Sequence, residues 1–303
     1  MSHDLVWKTR LAQIKAMFKL SRPVILQGGI LAYSLGAAMG YAANGSFDAT
    51  LAGIGLLITV VANLVAHYTD EYADVDTDSI TQRTLFSGGS GVLPSGIVPP
   101  VWSLRMAWIL VGLTTLLTAW FIVSGVLTWH VTWIVGLGML AGWFYSMPPL
   151  ALERRGLGEL DNALLGAFLM PLMGYTVQTG TPTLTAVLNL TPIFPVVMVG
   201  LLGVHWADRE ADAIVGKRSL VVIMGHHSRI LHIVMAVMTY ALAVALAAVS
   251  ILPVPVAIAI LSTLPISVWA VVTFTRSTSP LPSGLAMMMT IGMAAIGWVI
   301  AVP

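Results

Sequence analysis

The sequence predicts an all-α, polytopic membrane protein of about nine transmembrane helices with a polar site at one membrane face. Three observations carry this prediction. Of 303 residues, 57% are hydrophobic and 9% charged, against about 25% charged in a typical soluble domain. Apolar runs of about 20 residues, the length that crosses a hydrocarbon core, recur from one end of the chain to the other. Every lysine and arginine falls on one side of the resulting span map. The absence of cysteine excludes disulfides, cysteine-ligated zinc and iron–sulfur clusters.

Residues 1–22 form a basic, amphipathic N-terminal segment with Lys8, Arg10, Lys15, Lys19 and Arg22. It lacks the short apolar stretch and small-residue cleavage site of a signal peptide. Nine spans follow at roughly 24–43, 49–69, 101–123, 128–147, 160–180, 190–207, 229–250, 253–275 and 284–302. Turn residues separate them at Asn44-Gly45, Ser124-Gly125, Gly180-Thr181-Pro182 and Pro253. The fourth span is short and the eighth contains Pro265, so tilt or a kink is expected in both. The loops near 44–48, 124–127, 181–189 and 251–253 carry none of the 14 basic residues, which makes the opposite face cytoplasmic by the positive-inside rule. All 13 acids except Asp48 share that face, so it holds a polar site as well as topology signals. The expectation is one domain, 1–303, multi-pass in the cell (inner) membrane, with the N-terminus and the functional loops cytoplasmic. The lipid bilayer is a partner, no nucleic acid is expected, and the oligomeric state stays open.

Two aspartate clusters end apolar spans on this face. Asp70, Asp74 and Asp78 are spaced by four, and so are Asp208 and Asp212. That spacing stacks carboxylates one helical turn apart, where like charges repel unless a cation neutralises them. Hard oxygen ligands at a helix mouth suit Mg²⁺ shared with substrate phosphates. Carboxylates at a membrane interface are costly, so a functional role is the default reading. All five are therefore candidate metal ligands, and the implied chemistry is that of Mg²⁺ and a diphosphate at a membrane surface.

Each cluster opens one of the two longest loops. In the first, Arg83 could contact a phosphate oxygen. Gly88, Gly89 and Gly91 would let backbone N–H groups approach an anion, or simply make a flexible loop. In the second, Lys217 and Arg218 either neutralise a diphosphate or serve as positive-inside anchors. A third loop runs from Tyr145 past Pro148-Pro149 to Arg154-Arg155-Gly156. Glu159 and Asp161 then open the fifth span, where acids favour the helix dipole. His67 lies three residues before Asp70 on one helical stripe, with Asn63 a turn further in. No histidine pair has zinc-ligand spacing, so no zinc site is expected.

These loops together resemble the UbiA superfamily of intramembrane prenyltransferases. Asp70, Asp74 and Asp78 match its first motif, with Asp70 where asparagine is usual, and Asp208 and Asp212 match its second. Tyr145-Ser146-Met147-Pro148-Pro149, Arg155-Gly156-Leu157-Gly158-Glu159-Leu160 and Gly216-Lys217-Arg218-Ser219-Leu220 are similar to the branch that prenylates 1,4-dihydroxy-2-naphthoate in menaquinone synthesis. Ser21-Arg22-Pro23 is a common family start. Two departures bear on the acceptor: Asp70-Glu71-Tyr72 replaces Asn-Asp-Tyr, and Phe86-Ser87-Gly88-Gly89-Ser90-Gly91 stands where the 4-hydroxybenzoate branch has Arg-Pro-Leu.

The resemblance implies an enzyme that moves a polyprenyl group from a polyprenyl diphosphate to an aromatic acceptor. Asp70, Asp74, Asp208, Asp212 and Tyr145 would be catalytic, with Tyr145 stabilising the allylic cation through its ring face. Asn63, His67, Asp78, Arg83, Arg22, Arg154 and Lys217 would bind substrate. With dihydroxynaphthoate the acceptor carboxylate would leave as CO₂. Chlorophyllide, homogentisate, 4-hydroxybenzoate or a glycerol phosphate are the alternative acceptors within the family. A CDP-alcohol phosphotransferase would need an Asp-Gly signature that neither cluster has. A transporter would place charges in mid-span rather than at span ends.

Overall fold

The computed structural model describes residues 3–84 and 86–302, with side chains from residue 10 onward. Among the described residues every named element is a helix, and the long helices run between a charged end and an apolar end. α1 (His3–Leu20) precedes α2 (Pro23–Asn44), which starts on a proline at its first position and stops at Gly45. Gly45 adopts φ 67°, and its N–H closes on the Tyr41 carbonyl. α3 (Ala49–Ala73) is capped by the Asp48 side chain, which accepts from the Leu51 N–H. This explains the one acid at the apolar end. α4 (Val75–Ile80) follows without a loop, and α5 (Pro100–Val123) and α6 (His130–Ser146) run down and back.

A 3₁₀ turn, Leu152–Arg155, leads into α7 (Gly158–Leu164). α7 continues through a π-turn, Leu165–Leu169, into α8 (Met170–Thr179). Pro171 explains the π-turn, since it has no N–H for an i−4 bond and its ring displaces the preceding turn. α9 (Leu184–Leu190) and α10 (Ile193–Ile214) meet at a 43° bend beside Pro192. α11 (Leu220–Met224) and α12 (Ser228–Ala248) return, and α13 (Val254–Leu261) and α14 (Leu264–Thr273) are separated at Ser262-Thr263, next to Pro265. α15 (Leu281–Ile300) closes the bundle.

Seven of these segments are long and apolar enough to cross a membrane, and the bent α9–α10 pair makes an eighth. The expected span at 128–147 is α6, whose 17 residues measure about 25 Å, short of a ~30 Å hydrocarbon core. The nine-span map therefore reduces to eight segments of spanning length plus this short helix. Packing between helices uses small residues, as expected where no hydrophobic effect operates between them. A Cβ on Gly36 would overlap the Pro171 backbone, and one on Gly174 would overlap the Tyr33 carbonyl. α2 and α8 thus touch backbone to backbone. A separate apolar cluster seats α1, through Ala16 and Leu20, on α3, α5 and residues 92–98.

Candidate functional site

The site is built where the charged ends of α3, α4, α6, α7 and α10 meet. Asp70 and Asp74 sit one turn apart at the end of α3, and Asp74 is also the residue from which α4 starts. α4 turns the chain back, so Asp78 is buried beside the same group. The Asp70 carboxylate pairs with the Arg22 guanidinium at 2.5 Å and accepts from Ser146 Oγ at 3.1 Å. Arg22 sits in the left-handed region (φ 47°) at the α1–α2 junction. His67 fixes that junction, its Nδ1 lying 2.6 Å from the Ser21 carbonyl.

Asp74 is held by Lys217 Nζ at 2.6 Å, and the same ammonium lies 2.5 Å from Glu153. Lys217 is only 6% exposed, which a solvated anchor would not be. Arg154 donates to the Ala73 carbonyl at 3.1 Å and stands 3.9 Å from Asp74. Oxygens of Asp70, Asp74 and Glu153 lie within 4.8 Å of one another. Burial is the main force raising Asp74, Asp78 and Glu153. It pushes Asp74 up against the pull of Lys217. Asp78 rises to about 8, first by burial and then by the charges of Glu71, Asp74 and Asp70. Glu153 also rises to about 8, by burial and then by Asp74. Lys217 and Arg22 are pushed up: burial opposes their charge, but the surrounding carboxylates outweigh it.

The second cluster approaches the first through Lys217. The Lys217 N–H donates to the Asp212 carbonyl at 2.8 Å, and Ser219 Oγ donates to the Asp212 carboxylate at 3.3 Å. Asp208 Oδ1 is buried with no hydrogen-bond partner among the described residues, and so is Asp74 Oδ1. Buried orphan oxygens are costly, and an all-oxygen donor set of this kind fits a hard divalent cation such as Mg²⁺. The residues present therefore fit the expected metal.

The glycine loop makes a different contact from the one its sequence suggests. Gly88, Gly89 and Gly91 have φ of 79°, 60° and 74°. A Cβ on Gly89 would overlap the Asp78 carboxylate, and one on Gly91 the Arg83 guanidinium. The anion that this loop's backbone binds is internal. Ser90 N–H and Oγ donate to the two oxygens of the buried Glu71, both at 2.6 Å. Arg83 is exposed and lies against this loop rather than in the carboxylate cluster. Asn63 lines an apolar slot between α3, α6 and the π-turn, with Thr59, Ala66, Gly138, Gly142 and Met173. The slot begins within two turns of Asp70 along α3.

Four buried groups that sequence reasoning did not assign to the site belong to it. Glu71 and Glu153 are engaged as described. Glu159 does lie in the first turn of α7, but its carboxylate is 2.7 Å from both His205 Nδ1 and the Leu220 N–H. His205 Nε2 faces the Tyr145 hydroxyl at 3.4 Å. A signal for His205 was available, since it precedes Asp208 by three residues on α10, as His67 precedes Asp70. Lone acids in a loop, such as Glu153, carry no such periodic signal.

A sequence model of the UbiA prenyltransferase family matches residues 30–301. The chain belongs to that family. Within it, the chain is 26% identical over 173 residues to the 1,4-dihydroxy-2-naphthoate octaprenyltransferase of Bacillus subtilis (strain 168), a match covering 56% of this chain and 52% of that one. It is 28% identical over 212 residues to the bacteriochlorophyll synthase 33 kDa chain of Rhodobacter capsulatus, covering 68% of this chain and 64% of that protein. The matches thus span about half and just under two thirds of these curated relatives. A solved UbiA homolog from Archaeoglobus fulgidus bound to GPP and Mg²⁺ shares the fold, with TM-score 0.68, 14% identity, and coverage of 94% of this chain and 97% of that one.

Proposed function

We propose that this UbiA-family protein transfers a polyprenyl group from a polyprenyl diphosphate to an aromatic acceptor, with 1,4-dihydroxy-2-naphthoate as the first candidate. One observation supports this above the others. Carboxylates from α3, α4, the 3₁₀ turn and α10 converge with Arg22 and Lys217 at the charged end, and an apolar slot leads away from them. A charged diphosphate and an apolar tail call for that pairing.

Asp70, Asp74, Asp78, Asp208 and Asp212, together with Glu153, would hold Mg²⁺. Bound there, the metal supplies stabilisation of the negative charge that grows on a departing diphosphate. Arg22, Arg154, Lys217 and the exposed Arg83 add fixed positive charge around the same group. The allylic C–O bond breaks, and its electron pair leaves with the diphosphate. The ring of the acceptor then supplies the electrons for the new C–C bond. Tyr145 presents its ring to the cation, and the apolar walls keep water from quenching it. With dihydroxynaphthoate, the bond to the carboxylate carbon breaks, CO₂ leaves, and aromaticity returns. Asn63 borders the donor path, and His67 acts on the donor through the α1–α2 junction that presents Arg22.

Similarity to the Rhodobacter protein favours a second reading, a chlorophyllide acceptor. The site faces the cytoplasm of the cell membrane in this proposal, so reporters fused after Gly45 and after Gly91 should lie outside and inside, respectively. The decisive assay incubates detergent-purified protein with a polyprenyl diphosphate, Mg²⁺ and either acceptor, then measures pyrophosphate and the prenylated product. Dihydroxynaphthoate should give Mg²⁺-dependent pyrophosphate release and a decarboxylated product. No release with any polyprenyl diphosphate would overturn the proposal.

A further inference from the structure

α1 has two faces that do different work. Ala16 and Leu20, spaced by four, are buried against the bundle, and the Tyr68 hydroxyl donates to the Met17 carbonyl at 2.8 Å. Leu11, Ile14 and Phe18, spaced as i, i+3 and i+7, form a stripe on another face and are 51%, 68% and 68% exposed. Exposed Arg10 borders this stripe on one side, and Lys15 and Lys19 border it on the other. An exposed apolar stripe rimmed by basic residues belongs in the headgroup layer of a membrane. α1 also sits at the charged end of the bundle, beside the start of α5.

Between α1 and α5 lies a groove of about 370 Å³ lined by Arg10, Gln13, Ile14, Met17, Trp102 and Met106. Its lining supplies one cation, one indole and two thioethers. Arg105, exposed, follows Trp102 by three residues on α5. Tryptophan at the headgroup level and arginine for the phosphate are the chemistry of a lipid site.

We propose that this groove binds one anionic phospholipid, with its phosphate on Arg10 and an acyl chain along Met17, Trp102 and Met106. The charge complementarity selects the occupant: from residue 10 onward, the stretch that lines the groove, α1 carries Arg10, Lys15 and Lys19 and no acid. The site is separate from the carboxylate cluster and does not depend on the reaction assigned to it.

The test is native mass spectrometry of the full-length protein in detergent, titrated with phosphatidylglycerol or with phosphatidylcholine of the same acyl chains. The wild type should retain phosphatidylglycerol in preference. Arg10→Gln should bind it about tenfold more weakly, the effect of losing one charge-assisted contact. Arg10→Lys should keep most of the binding, and Arg276→Gln, exposed and away from the groove, should match the wild type. Equal retention of the two lipids, or unchanged phosphatidylglycerol binding in Arg10→Gln, overturns the proposal. Both side chains are exposed, so folding of the variants, checked by size exclusion, is not at stake.

Discussion

The two aspartate clusters look alike in sequence and differ in how the fold treats them. In the first, Asp70 pairs with Arg22 and Ser146, Asp74 with Lys217 through one oxygen while its other stays unpartnered among the described residues, and neighbouring Glu71 with Ser90. In the second, Asp212 has one long contact from Ser219, and Asp208 keeps a buried oxygen unpartnered. The first cluster is braced by built-in cations at Asp70 and Asp74, whereas among the described residues no cation forms an ion pair with the second. Residues of the same type at the same spacing should therefore respond differently to removal.

The largest effect should come from Asp74→Ala and Asp208→Ala, each of which should lower turnover by about 10³-fold or more, at least the loss seen when one charge-stabilising donor is removed. Their metal-free stabilities should separate them. Asp74→Ala strips the buried Lys217 ammonium of its Asp74 carboxylate and leaves only Glu153 beside it, and breaking buried pairs costs up to about 3–5 kcal/mol. Asp208→Ala removes an orphan and should leave the thermal midpoint unchanged or higher. Equal midpoints in the two variants would break the comparison.

Lys217→Gln comes next. It leaves Asp74 and Glu153 facing each other without their shared cation, so the metal-free protein should be destabilised. Turnover should drop about 10²–10³-fold if the ammonium also acts on the diphosphate. Added Mg²⁺ should restore more stability to this variant than to the wild type, because the metal replaces the missing charge. Thermal unfolding with and without Mg²⁺ reads this directly. A deficit that Mg²⁺ leaves untouched would mean that Lys217 acts only as a packing group.

How much of this could be read from sequence follows from what periodicity encodes. Spans at 24–43 and 49–69 correspond to α2 and α3 because a membrane selects for length and hydropathy, which are local properties. Pro265 announced the interruption of the eighth span for a local reason as well. Asp70, Asp74, Asp208 and Asp212 stood out through spacing on a helix. Glu153 did not, because its role is set by Lys217, a residue brought to it by the fold from a different loop. The same holds for Asp74, whose partner is 143 positions away. The glycines of residues 88–91 suggest backbone approach to a bound anion, whereas Ser90 among them donates to the internal carboxylate of Glu71, next to Asp70. Helix periodicity could have flagged His205. No local pattern could have paired it with Glu159.

A smaller effect links the braced cluster to pH. Asp78 and Glu153 hold protons up to about pH 8 in the folded, metal-free protein, while the unfolded chain releases them near pH 4. The folded state thus binds more protons between these values, and stability falls as pH rises through that window. The midpoint of the metal-free protein should be lower at pH 8 than at pH 6. Mg²⁺ binding at pH 7 should release protons, visible as a buffer-dependent heat in calorimetry. A midpoint that rises between pH 6 and pH 8, with no proton release, would show that the cluster is already ionised without metal.

The smallest effect separates cations inside the cluster from one at its rim. Arg83 is exposed and rests on Gly91, so water and salt screen its charge far more than that of Lys217. Arg83→Gln should therefore lower kcat by about tenfold, less than the range expected for a preorganised, water-excluded donor. Charge on the bridging oxygen grows as the bond breaks, so kcat should change more than the donor KM. The loss should also deepen at low salt and fade at high salt, whereas the Lys217→Gln defect should hardly respond. Steady-state kinetics at two ionic strengths on size-selected protein tests both points. A salt-insensitive loss in Arg83→Gln as large as that in Lys217→Gln would place Arg83 inside the closed site during turnover, with the glycine loop folding over the diphosphate. Wild-type kinetics would instead leave Arg22, Arg154 and Lys217 as the cations that serve it.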